Sequence, residues 1–348
     1  MMIRMLGLML IAAGVFAAEP VADFADLATA QVAIIDDHLE PYFSTLQPLE
    51  MAAKTGSALS PGTVAEQQAE CRKRYQAGVR AFTPDEQAAV TWYVAKARAL
   101  LAIDYPAIEQ TPWRYIKVDD HIEGGLPHTR GEYVVFAQGF LAELSMAKSM
   151  LPEDTAMQQM GDTVIHEHMH VVQRLHPEMF MSLYTDLWHL RRAPRIVDCP
   201  WLVEHHLANP DGVDCGWVFP VESNGRTRWI WPLVIFGEVQ GIAHMPNDFE
   251  MAAISLSDNN GAFTVVTTAE GKPDYVDLMS VPEYASIYVG SHNIYHPNES
   301  AADLFAKIVI FDALVNKAAI PEKRLAAIEA NLAPLRTWFK ANSRAPHP

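Results

Sequence analysis

The spacing of apolar positions changes several times along the chain. MMIR carries one positive charge, MLGLMLIAAGVF is an unbroken apolar run, and small residues follow in AAEP. This is the layout of a signal peptide, with cleavage expected near Ala18, and the run is too short to span a bilayer. Residues 1–18 are therefore set apart from the fold. Residues 22–55 repeat apolar positions at helical spacing. Thr83, Pro84 and Glu86 mark a helix start that should run to about residue 104. WRYIKV (113–118) and EYVVFA (132–137) are short, β-branched and aromatic, and predict strands. Helical spacing returns over about 155–175 and again from Pro177. Residues 193–232 read as irregular, and FEMAAISLSDNNGAFTVVTTAEG as two strands around an Asn-Gly turn. HPNESAADLFAKIVIFDALV and PEKRLAAIEANLAPLRTWF predict two closing helices.

This order lacks βαβ alternation and predicts an α+β, mostly helical fold. Residues 19–110 form an N-terminal helical region. Residues 111–348 form the second region, with an irregular and β insert over about 193–290. A net charge of −16 over 348 residues excludes a basic nucleic-acid surface and docking on an anionic membrane. The leader predicts a secreted or periplasmic protein. Cys199 and Cys215 are spaced to close a short loop there, leaving Cys71 unpaired.

The densest chemistry lies in GDTVIHEHMHVVQRLH (161–176). On a helix, Val164, His168, Val171, Val172 and Leu175 share the core stripe. His166 and His170 stand one turn apart on another face, with Glu167 beside the first. Two neutral imidazoles at this spacing hold one zinc ion from one side. A carboxylate beside them can take a proton from water and return it to a leaving amine. His168, in the apolar stripe, reads as a packed core histidine.

Two residues compete for the third ligand. HEHMHVVQRLH resembles the three-histidine metzincin pattern, which would make it His176. Gln173 stands where that family has Gly, and a continuing helix carries His176 roughly 15 Å from His166. DLMSVP near Met279 is a weak match to that family's Met-turn. Glu299 and Asp303 in HPNESAAD resemble instead the Glu-x-x-Ala/Ser-Asp motif of gluzincin metallopeptidases. That resemblance implies Glu299 as third zinc ligand and Asp303 as the residue orienting a ligating histidine. The 129-position separation of His170 and Glu299 exceeds the family's usual spacing, so the insert must loop out and return. The stretch from about 110 to 315 also resembles bacterial zincin-like proteins of poorly described activity. It implies a zincin-like domain whose edge strand, EYVVFA, pairs with extended substrate.

The implied function is a secreted zinc metallopeptidase. Glu167 is its general base and Tyr295 its oxyanion donor, chosen over Tyr288 and His292. Its partners are peptide or protein substrates. Two readings stay open beside it: a catalytically inactive zinc-binding module, and a zinc hydrolase of non-peptide amides.

Overall fold

The computed structural model describes residues 21–344 except Asn224. Residues 1–18, read above as a signal peptide, lie outside the described residues. Among these, no helix is long and apolar enough to cross a membrane. The fold is α+β: helices packed on two mixed sheets.

The first sheet joins β1 (Asp23–Phe24), β2 (Val79–Arg80), β3 (Arg114–Val118), β4 (His128–Arg130) and β5 (Tyr133–Ala137). The main path runs β1-β3-β5-β4, with β2 also on β3. β5 is parallel to β3 and antiparallel to β4. Flanked on both sides, it reads as the continuous apolar run YVVFA. The expectation of an edge strand at 132–137 is thus corrected: β4 is outermost. The β4 amide of Thr129 donates to Asp211 Oδ1 at 2.7 Å and is not open to an added strand.

The second sheet holds β6 (Arg191–Arg192), β7 (Ile196–Val197), β8 (Trp217–Ser223), β9 (Arg226–Phe236), β10 (Phe249–Asn259), β11 (Ala262–Val265) and β12 (Tyr275–Asp277). Its order is β6-β8-β9-β10-β11-β7, with β12 on β10. The Asn-Gly hairpin is present, with φ of 57° at Asn260 and 88° at Gly261. The expectation of irregular chain over 193–232 fails for its second half. β8 and β9 pair there, Phe219 opposite Ile230. Pro220 and Pro232 masked the strands, since proline within a run argues against a strand.

Helix starts follow their local signals more closely. Thr83 and Glu86 close a reciprocal capping box, and the helix runs Pro84–Leu101. The expected helical stretch 22–55 instead breaks into Leu27–Ala33, Tyr42–Thr45 and Pro48–Lys54. Pro41 and Pro48 each interrupt the backbone hydrogen-bond ladder.

One core joins both sides of position 110. Val90, Tyr93 and Val94 pack in one cluster with Val164, Met169 and Val172, and with Ala302, Phe305 and Val309. Each such aliphatic or aromatic side chain contributes about 1.5–3 kcal/mol of burial. The helix Pro84–Leu101 thus shares its core with the histidine helix. The same packing lays the helix Pro297–Leu314 along the histidine helix Asp162–Leu175. The chain between them loops out through the second sheet and returns.

Candidate metal centre

His166 and His170 project one above the other from Asp162–Leu175, whose opposite face buries Val164, Val171 and Val172. The neighbouring helix begins at Pro297, with His296 Nδ1 accepting from the Asn298 amide. Glu299 therefore falls in its first turn, where the helix dipole favours an acid. Packing brings the Glu299 carboxylate onto the two rings. His166 Nε2 lies 3.3 Å from Glu299 Oε2, and His170 Nε2 lies 3.6 Å from Oε1. The two Nε2 atoms are 3.0 Å apart. Ligand atoms of all three residues lie within 4.8 Å of one another. Two imidazoles and one carboxylate make a donor set that fits a catalytic zinc with one coordination position open.

Neighbours hold these ligands in place. His170 Nδ1 donates to Gln173 Oε1 at 2.8 Å, which turns Nε2 toward Glu299. Gln173 Nε2 donates in turn to the Asn298 carbonyl at 2.9 Å. Asn209 Nδ2 donates to Glu299 Oε1. The role expected for Asp303 is corrected here. Its carboxylate pairs with Lys307 Nζ at 2.9 Å, and the histidine is oriented by Gln173. Asp303 sits four residues beyond Glu299, on the cavity rim.

Glu167 is only 4% exposed, and among the described residues its Oε2 has no hydrogen-bond partner. Burial, and then the nearby Asp211 carboxylate, push its carboxyl well above the usual range. Asp211 Oδ1 accepts from the amide and hydroxyl of Thr129. Arg174, one turn beyond His170, ties this loop down. It donates to Thr129 Oγ1 at 2.8 Å, to the Pro210 carbonyl at 2.6 Å and to Glu40 at 2.7 Å. Burial disfavours the charged ring of His170, yet Glu299 and Asp211 outweigh it and lift its pKa to about 10. So many carboxylate oxygens draw positive charge to the ring nitrogens, and a divalent cation bound there would supply it on displacing protons.

Tyr295 lies against Glu299 and Asn209. Burial and the surrounding carboxylates push its hydroxyl well above the ordinary phenol range, so it keeps its proton. Tyr288 is instead a core residue packed on Trp188 and Tyr284, and His292 is exposed on the cavity rim. His176 caps the histidine helix and lines a different recess, with Pro177 and Glu178. Among the described residues it joins no metal-holding group. Met279 is exposed. His168 behaves as a core residue: Nε2 donates to the Ile108 carbonyl and the ring stacks on Trp113. Cys71, Cys199 and Cys215 are all free thiols, with Cys215 Sγ 3.6 Å from His206 Nε2.

A cavity of about 430 Å³ opens over His166, Glu167 and Glu299. Gln173, Asn209 and Asp211 serve this site without a chemical motif of their own. Asn209-Pro210-Asp211-Gly212 signals only a turn, which the Asp211 amide closes on Asn209 Oδ1. No family model, curated protein or solved structure matches the chain. Its chemistry therefore rests on these atoms.

Proposed function

We propose that the chain is a zinc-dependent hydrolase acting outside the cytoplasm, and that it cleaves peptide bonds. The observation that carries this reading is the meeting of His166, His170 and Glu299 beside the unpartnered Oε2 of Glu167. Those three residues would hold one Zn²⁺. Bound there, the ion polarises a carbonyl and lowers the pKa of water at its open position to ~7.

The chain's own groups supply the rest. The Glu167 carboxylate accepts a proton from the attacking water and passes it to the leaving amine. Burial and Asp211 make it a stronger base than a surface carboxylate. Tyr295 offers its phenolic proton to the oxygen that gains charge. Gln173 and Asn209 fix the orientations of His170 and Glu299. The resemblance to gluzincin metallopeptidases makes a peptide or protein the favoured substrate.

The test is metal analysis of the purified chain, joined to cleavage of casein or a quenched-peptide mixture with and without chelator. Glu167→Gln should retain its zinc and lose about 10²–10⁴-fold in turnover. Full activity in that variant, or cleavage indifferent to chelator, would overturn the reading. A zinc-loaded chain that cleaves no peptide would point to a binding module or to a non-peptide amide substrate.

A further inference from the structure

A second set of donors shares one ring with the zinc ligands. Glu167, His170 and Asp211 are all buried, and ligand atoms of the three lie within 4.8 Å of one another. His166 and Glu299 stand outside this group, so His170 alone belongs to both.

The two carboxylates lack the partner a buried charge needs. Arg174 forms its ion pair with Glu40, and Lys54 forms its own with Glu123. Among the described residues, no lysine or arginine pairs with Glu167 or Asp211. Asp211 takes both Thr129 hydrogen bonds on Oδ1, and Glu167 Oε2 takes none. Buried charges are ordinarily paired or bound to a metal, and two carboxylates this close repel each other. A cation between them removes the repulsion. The carboxylates are also held in place. Glu167 rides on the histidine helix, and Arg174 ties down Thr129 and the Pro210 carbonyl on either side of Asp211.

We infer that Glu167, His170 and Asp211 form a second cation seat, an alternative to the zinc seat, for a harder divalent ion of the Mn²⁺ kind. One imidazole and two carboxylates suit such an ion better than two imidazoles and one carboxylate do. The two seats exclude each other. His170 Nδ1 donates to Gln173, so the ring keeps a single lone pair, on Nε2, and serves one ion at a time. An ion in the second seat also engages the Glu167 carboxylate, which is then no free base. That consequence rests on the hydrolase reading above: the identity of the bound metal decides whether the base is available.

The probe is Mn²⁺ alone, added to the metal-free full chain and followed by electron paramagnetic resonance. The expected result is one ion bound per chain, released on adding an equivalent of Zn²⁺. Asp211→Asn keeps an acceptor oxygen for Thr129 and should weaken Mn²⁺ at least about ten-fold, with zinc affinity within a few-fold. Glu299→Ala should do the reverse, losing zinc while Mn²⁺ affinity stays within a few-fold. Absence of Mn²⁺ binding overturns the proposal, as does unchanged Mn²⁺ affinity in Asp211→Asn. A Mn²⁺ loss in Glu299→Ala as large as the zinc loss overturns it, and so do both ions bound together on one chain. Should Asp211→Asn fail to fold, Glu167→Gln takes its place, with Mn²⁺ weakened and zinc retained. Binding is read without hydrolysis, so failure here leaves the hydrolase reading standing. A chain that binds Mn²⁺ in this way and cleaves nothing loses the hydrolase reading alone.

Discussion

Two buried glutamates line one cavity and are treated in opposite ways. Glu123 has both oxygens bonded, to two tyrosines and a lysine. Burial opposes its charge, but Lys54 and its other partners hold its carboxyl below the usual range. Its backbone sits at φ 50°, in the left-handed region, a strain of about 1–3 kcal/mol that the surrounding bonds offset. Glu167 is buried as deeply, yet one oxygen is free and its pKa is driven upward. The first arrangement locks four chain segments together. The second stores an unsatisfied carboxylate beside the three candidate ligands His166, His170 and Glu299. Burial alone therefore does not separate a structural carboxylate from a reactive one; the count of its partners does.

The largest expected effect is on the reactive side. Glu299→Ala should weaken zinc binding by more than about 100-fold, beyond the 10–100-fold typical for losing an outer partner. Competition with a chromogenic chelator measures it, and the melting temperature without metal should fall little. Lys54→Met is the counterpart at the saturated end. It strands Glu123 as a buried, unpaired charge and should cost about 3–5 kcal/mol in denaturant unfolding. Zinc affinity of the folded fraction should stay within a few-fold. If Lys54→Met proves harmless, the distinction between the two glutamates collapses.

Gln173→Ala removes the acceptor of His170 Nδ1 and should lower zinc affinity about 10–100-fold. Gln173→Glu restores an acceptor and should recover most of the loss. The smallest effect concerns pH. His206, next to the Lys54 cluster, has its pKa pushed down to about 4 by burial and then by the Lys54 charge. In the unfolded chain it protonates near 6.5, so its stability contribution is complete above that pH. That contribution falls away as the pH drops from 6.5 toward 4. His206→Phe should flatten the acid slope by about 1 kcal/mol between pH 6.5 and 5.5, read from urea titrations.

Local signals in the sequence were read correctly wherever the structure obeys a short-range rule. The Thr83–Glu86 capping box, the Asn260-Gly261 turn and the His168 core position all appear where spacing predicts them. The failures have different causes. β8 and β9 carry prolines that a partner strand tolerates, and β5 lost the edge to β4, a three-residue strand that folds back on it and is too short to stand out in the sequence. Asp303 shared its motif spacing with Glu299 but turned to Lys307, its neighbour one turn on.

The chain by itself determined that two imidazoles and a carboxylate would crowd one helix, because 3.6 residues per turn stacks positions four apart. It also supplied Glu299 and a helix start to carry it. Only the tertiary structure decided that this carboxylate meets those rings, that Gln173 holds one of them, and that Asn209, Asp211 and His128 share the same cavity. Such contacts join segments far apart in sequence, 133 positions in the case of His166 and Glu299. They form when apolar faces are buried together, and no local periodicity encodes which distant face will be the partner.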